Sequence, residues 1–132
     1  MRQSAGEHAI ALIAYCIMPD HAHVLTEGRE PSSSSLEFTC AWKHGTALDA
    51  WYAGRSRLWQ RGFYDHLVRS DESAVAIAAY IMANPIRAGL SRALGEYPFA
   101  GSDVYSLEQL VDAMTDAVSP AVLRTKGKLD LG

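Results

Sequence analysis

The residues best suited to chemistry fall into a few short groups, and the first is His21-Ala22-His23. On extended backbone, positions i and i+2 project from one face, so both imidazoles can reach a single ion. Neutral imidazole is the commonest protein ligand for metals. The same pair also suits two partly exposed histidines at the start of a strand. A nucleotide-hydrolysing histidine triad needs a third histidine two residues on, where Leu25 stands, so that reading fails. The second group is Tyr80 and Asn84, one helical turn apart and therefore on one helix face. A phenol has a pKa near 10 and needs a neighbouring cation or base to act as a nucleophile. The carboxamide oxygen of Asn84 is a hard donor that could complete a cation site. The alternative is a packing tyrosine followed by a helix-ending asparagine.

The third group is Leu58-Trp59-Gln60-Arg61-Gly62-Phe63-Tyr64-Asp65-His66, with Arg69 beyond. Aromatic rings interleaved with arginine and glutamine suit base stacking and phosphate contacts. Lys43, Arg55, Arg57, Arg61, Arg69 and Arg87 supply candidate phosphate contacts. An amphipathic strand pair with its tryptophan in the core reads from the same residues.

These groups need elements to hold them. Residues 9–18 are almost wholly apolar and rich in β-branched and aromatic side chains, which predicts a strand buried on both faces and ended by Pro19. Met18-Pro19-Asp20 predicts a tight turn into a second strand over 23–27, closed by Gly28, so the histidines sit at the start of an antiparallel hairpin strand. After the Ser32–Ser35 loop, a helix is expected over 36–53 with Leu36, Cys40 or Ala41, Ala47, Leu48 and Trp51 on its inner face and Gly54 as its stop. Leu58–Gln60 and Phe63–Val68 read as a strand pair, or as one strand broken at Gly62. A helix over 72–82 is expected to end because Asn84 precedes Pro85. Ser106 caps a last helix over 106–117, with Leu107, Leu110, Val111 and Met114 on one side, and the tail after Pro120 is expected to be loosely held.

Composition narrows the class. The 132 residues are 48% hydrophobic and 20% charged, which suits a single globular domain and excludes wholesale disorder. No apolar run approaches the ~18–20 residues of a membrane span, and the N-terminal MRQSAGEH has no signal-peptide core, so a cytoplasmic protein without membrane attachment is expected. Cys16 and Cys40 stand far apart and read as buried thiols in a reducing compartment. The net charge of −3 is unevenly spread: residues 42–92 hold 7 Lys/Arg against 4 Asp/Glu and all 3 tryptophans. Phosphate binding needs such a local basic surface rather than a basic whole.

Together these blocks carry a resemblance. YCIMPDHAHVLTEG, a lysine-bearing helix, LWQRGFYDHLVRSDES and AAYIMANPIRAGL, followed by YPFAGSDVYSLEQL, closely resemble in sequence and order the single-tyrosine HUH transposases, above all the REP-associated tyrosine transposases and their insertion-sequence relatives. The resemblance implies an α+β, ferredoxin-like antiparallel sheet with helices on one face over residues 1–105, and a C-terminal helix and tail over 106–132. It implies that Tyr80 is the nucleophile and that His21, His23 and Asn84 bind Mg²⁺ or Mn²⁺. It also implies single-stranded or hairpin DNA as substrate, cleavage through a 5′-phosphotyrosine and a homodimer. Lys43, Trp59, Gln60, Arg61, Arg69 and Arg87 are the expected DNA contacts, with Phe63 and Tyr64 as further stacking candidates. Members of this family carry an opening strand and most of a helix before the first block, which this chain reaches at Tyr15. The sheet is therefore expected to lack its usual first strand. Two functional readings follow: an active strand transferase, or an inactive shortened relict that binds hairpin DNA without cutting it.

Overall fold

The computed structural model describes residues 1–69, 71–116 and 129–130. Its centre is the predicted hairpin. Strand β1 (Ile10–Ile17) pairs antiparallel with β2 (Ala22–Gly28), from Ile10 opposite Gly28 to Ile17 opposite Ala22. Helix α1 (Arg2–Glu7) precedes β1, and α2 (Ser35–Tyr52), α3 (Ala74–Met82) and the short α4 (Asn84–Arg87) follow β2. Strand β3 (Ala100–Gly101), helix α5 (Leu107–Asp116) and strand β4 (Leu129–Asp130) complete the order, and the sheet reads β3-β1-β2-β4. The outer strands are short: β3 pairs with Tyr15 and Cys16, and β4 with His23 and Val24.

The class is the expected antiparallel α+β, but the helices are divided between both sheet faces instead of sharing one. The reason lies in β1, whose side chains are apolar on both sides and must be covered on both. Ile10, Leu12, Ala22 and Val24 pack with Ala5 of α1 and Phe38 and Trp42 of α2. On the other face Ala11, Ile13, Ala14, Cys16 and Leu25 pack with Ile77, Ala78, Ile81 and Met82 of α3 and Leu110 of α5. A bulge between Leu12 and Ala14 puts the consecutive residues Ile13 and Ala14 on the same face.

The helix starts follow from capping. Ser34 Oγ accepts from the Glu37 amide at 3.2 Å, Ser73 Oγ from the Ala76 amide at 3.3 Å and Ser106 Oγ from the Gln109 amide at 3.2 Å. At α5, Gln109 Oε1 accepts from the Ser106 amide at 2.8 Å, closing a capping box. Of its expected inner face, Leu110 is buried while Leu107, Val111 and Met114 are exposed. After Met82 the chain does not leave the helical region for long. Asn84 opens α4 with Pro85 in its first turn, where the missing amide costs nothing.

Several expectations are corrected. The inner face of α2 is Phe38, Thr39, Trp42 and Ala50, whereas Leu36, Leu48 and Trp51 are exposed. Cys16 is buried as expected, but Cys40 is exposed. The segment after Gly54 forms no strand pair: between residues 55 and 69 only Tyr64 makes an isolated bridge. Instead it is pinned to α2 by side chains. Trp59 Nε1 donates to Thr46 Oγ1 at 2.8 Å, and its ring meets Trp42 edge-on at 5.2 Å. Residues 117–128, which include most of the tail expected to be loosely held, lie outside the described residues. Among the described residues no helix is long and apolar enough to cross a membrane.

Contacts at the α1 end tie the N-terminal helix to the segment around β3. Arg2 donates to Asp103 at 2.9 Å and to the Tyr15 hydroxyl at 3.1 Å. That hydroxyl stands 2.7 Å from where a Cβ at position 101 would sit, so a side chain at Gly101 would have to push the Tyr15 ring aside. Between α1 and β1, Ala9 has φ of 51°, the left-handed region in which a Cβ is strained. Its carbonyl is held in place by the Arg29 amide at 2.8 Å and Ser33 Oγ at 2.8 Å. Ala9→Gly is therefore expected to raise unfolding stability by about 0.5–1 kcal/mol in urea titration, the strain relieved outweighing the extra freedom of the unfolded chain.

Candidate active site

His21 and His23 share parity with Leu25 along β2, and Leu25 faces α3, whereas Ala22 and Val24 face α2. Both imidazoles thus lie on the α3 side of the sheet. Their ring centroids are 4.7 Å apart with planes nearly perpendicular, an edge-to-face contact that keeps the two rings together. His23 is 2% exposed, held opposite Cys16 in the β1–β2 register.

His21 is oriented by its neighbour. Its Nδ1 lies 2.6 Å from Asp20 Oδ1, and this hydrogen bond together with the charge on His21 holds the Asp20 carboxyl below its usual range. A neutral imidazole that gives its Nδ1 proton to this carboxylate presents Nε2 as a lone pair for another partner. Histidines that ligate metals are commonly oriented by a carboxylate in this way. The donor chemistry therefore fits a divalent cation. Asp20 was absent from the sequence-level candidates; the signal was its position directly before the His-x-His pair.

Tyr80 sits on α3, half-buried, one turn before Asn84. The Arg87 guanidinium lies over its ring with the central carbon 3.9 Å from the centroid. Arg87 Nη2 donates to the Tyr80 carbonyl at 2.9 Å and to Asn84 Oδ1 at 2.7 Å, while Asn84 Nδ2 donates to the Ile81 carbonyl at 2.9 Å. Arg87 also reaches the sheet electrostatically. Burial pushes the Cys16 thiol up to about 11, and the positive charge of Arg87 opposes that rise. Cys16 is the register partner of His23 in the hairpin. The Cys16 thiol itself stays protonated at neutral pH, with its sulfur 3.6 Å from the Met18 sulfur.

The expected DNA contacts divide. Arg87 belongs to the Tyr80 cluster, which its spacing of seven from Tyr80 and three from Asn84 places on one helical face. Lys43 does not join it. Its ammonium donates to the carbonyls of Gln60 at 3.1 Å and Gly62 at 2.6 Å, beneath the rings of Trp59 and Phe63. Lys43, Trp59 and Gln60 therefore form a staple between α2 and the following segment, on the sheet face opposite the histidines. Gly62 turns the chain there with φ of 72°. Arg61 and Tyr64 are exposed, and Arg69 lies 3.4 Å from Asp71. A groove of about 470 Å³ runs between the Gly28 end of β2 and residues 65–68, at the far end of the strand from the histidines, so this groove is not where the candidate chemistry lies.

No protein-family model matches the chain, and no solved structure does. Two curated relatives share its sequence. A protein of Haemophilus influenzae, named as a REP-associated tyrosine transposase, is 25% identical over 113 residues, covering 75% of this chain and 62% of its own length. The REP-associated tyrosine transposase of Escherichia coli K12 is 24% identical over 90 residues, covering 66% of this chain and 51% of its own length. The chain thus spans between half and two thirds of the relatives it matches. Two matches of one name place the likeness: the chain is similar to the REP-associated tyrosine transposases.

Proposed function

We propose that this chain is a metal-dependent DNA strand transferase of the single-tyrosine type, acting on single-stranded DNA beside a hairpin. The observation that carries this reading is the placement of His21 and His23 on the sheet face covered by the helix that bears Tyr80. The names of the two relatives support it. His21, His23 and Asn84 would hold Mg²⁺ or Mn²⁺. When bound, the cation supplies charge stabilisation to the phosphate as it becomes pentacovalent.

The chain's own residues do the rest. Asp20 fixes the His21 ring so that one nitrogen is free to ligate. The Tyr80 oxygen attacks phosphorus in line, the bond to the 3′ oxygen breaks, and the DNA 5′-phosphate becomes esterified to Tyr80. The departing oxygen takes up a proton and remains as a 3′-hydroxyl. Attack by a 3′-hydroxyl on that ester reverses the step, releases the tyrosine and needs no nucleotide cofactor, since the ester conserves the cleaved bond. A homodimer, with one tyrosine for each of two strand ends, is the working form that the resemblance implies.

Incubating the protein with labelled hairpin-flanked single strands, with Mn²⁺ or with EDTA, tests the reading. A covalent complex formed only with Mn²⁺ supports it. Hairpin binding by folded protein with no complex in either condition would replace it with a DNA-binding role. Arg61, exposed beyond the Lys43 staple, is the expected peripheral phosphate contact. Arg61→Ala should weaken hairpin binding evenly across sequences and reduce the slope of log affinity against log salt by about one unit. An unchanged slope in a fluorescence anisotropy titration would remove Arg61 from the DNA surface.

A further inference from the structure

Asn84 Oδ1 is claimed twice. The proposed function gives it to the divalent cation, while the structure gives it to Arg87 Nη2 at 2.7 Å. A guanidinium is a permanent cation, and bringing a divalent ion to the oxygen it already holds sets two positive charges against each other at short range. We propose, resting on the reading above, that Arg87 is a positioning residue that competes with the divalent cation for Asn84 Oδ1 and passes to a phosphate oxygen of the DNA when the cation takes that oxygen.

The local geometry suits such a transfer. Arg87 is exposed, and both its protein hydrogen bonds run through Nη2, to Tyr80 O and Asn84 Oδ1. Among the described residues Nε and Nη1 make no hydrogen bond, so the donor fork is only partly used. Such a fork matches two oxygens of a phosphate. The stacking of the guanidinium over the Tyr80 ring at 3.9 Å keeps it beside the attacking residue whichever oxygen it serves. Giving up one hydrogen bond at an exposed position costs little, so the exchange needs no rearrangement of α3. Because coupling is reciprocal, a cation that loosens Arg87 is itself held less tightly on account of Arg87. Phosphate, by accepting the guanidinium, relieves that opposition, and cation and DNA then bind cooperatively.

The test uses the full chain with Mn²⁺ as the probe, followed by electron paramagnetic resonance without DNA and then with a hairpin oligonucleotide. Arg87→Gln should bind Mn²⁺ about fivefold more tightly than wild type without DNA, and its adduct formation should slow by about a hundredfold. The oligonucleotide should tighten Mn²⁺ binding in wild type and have less effect in Arg87→Gln. Arg87→Lys, which keeps the charge but not the planar fork, should fall between the two for both readouts. The opposite signs separate competition from a structural role, since damage to the fold would weaken metal binding and adduct formation together. Equal Mn²⁺ affinity in wild type and Arg87→Gln, or a loss in both readouts, would overturn the proposal while leaving the transferase reading intact. Failure of the wild-type protein to bind Mn²⁺ under either condition would overturn the cation site itself, and the competition with it.

Discussion

Replacing Tyr80 by Phe is expected to abolish the covalent protein–DNA complex while leaving hairpin binding and thermal stability close to wild type. The change removes one oxygen. The ring remains under Arg87, and the Arg87 hydrogen bond to position 80 is to the backbone carbonyl, so neither contact depends on the hydroxyl. Chemistry that needs the phenolic oxygen as nucleophile loses it outright, and loss of a nucleophile typically costs several orders of magnitude, on the order of 10⁴-fold or more. Denaturing electrophoresis of wild-type and Tyr80→Phe reactions checks this. A complex of undiminished yield in the variant would show that another residue attacks the phosphate.

His21→Ala is the second change with a large expected effect. His21 is about one third exposed and belongs to neither packed cluster, so its loss should leave the fold in place. It would remove one of two imidazole donors and strand the Asp20 carboxylate that orients it. Mn²⁺ affinity measured by calorimetry and the rate of cleavage should fall together, by about a hundredfold or more. Asp20→Asn, which disturbs only the partner of the ligand, should cost about tenfold. The graded pair distinguishes ligation from a general electrostatic effect. Unchanged Mn²⁺ affinity in His21→Ala would remove the histidine pair from the metal site.

Much of the scaffold behind these expectations was legible because local chemistry and global packing agree. The apolar run over 9–18 is buried on both faces, Pro19 and Asp20 turn the chain, and β2 begins at Ala22, between the two histidines. Ser106 was readable as a helix cap because an unpaired amide there needs an oxygen, and Ser34 and Ser73 cap α2 and α3 in the same way. Expectation failed where two faces competed. Helix α2 carries apolar residues on more than one stripe, and hydropathy cannot say which stripe finds a partner. Phe38 and Trp42 face the core because Leu12, Val24 and Ala5 offer a complementary surface, and Trp51 remains in solvent.

The segment 58–68 misled for a different reason. Alternating aromatic and polar residues describe a strand only if another strand supplies the hydrogen bonds, and among the described residues this segment forms no strand beyond the isolated bridge at Tyr64. Lys43 and Thr46 supply partners from α2 instead. The division of helices between the two faces follows from the same principle: β1 buries both its sides, so both had to be covered. At the candidate site, the His-x-His pair and the Tyr80–Asn84 turn were visible as spacings. The place of Arg87 over Tyr80 was not, because an arginine in a sequence reads as a candidate phosphate contact until its own hydrogen bonds are known.

The most direct measurement of the central claim asks which end of the cut strand the protein carries. A hairpin-flanked single strand labelled separately at its 5′ and 3′ ends would be incubated with the full chain and Mn²⁺, and the covalent complex digested and mapped by mass spectrometry. Attack by Tyr80 with departure of the 3′ oxygen predicts a complex that carries the 3′-labelled fragment through its 5′-phosphate, attached to the peptide containing Tyr80. It also predicts a released 5′-labelled fragment whose 3′-hydroxyl a polymerase can extend. A complex carrying the 5′-labelled fragment, or attachment to any other residue, would contradict the account.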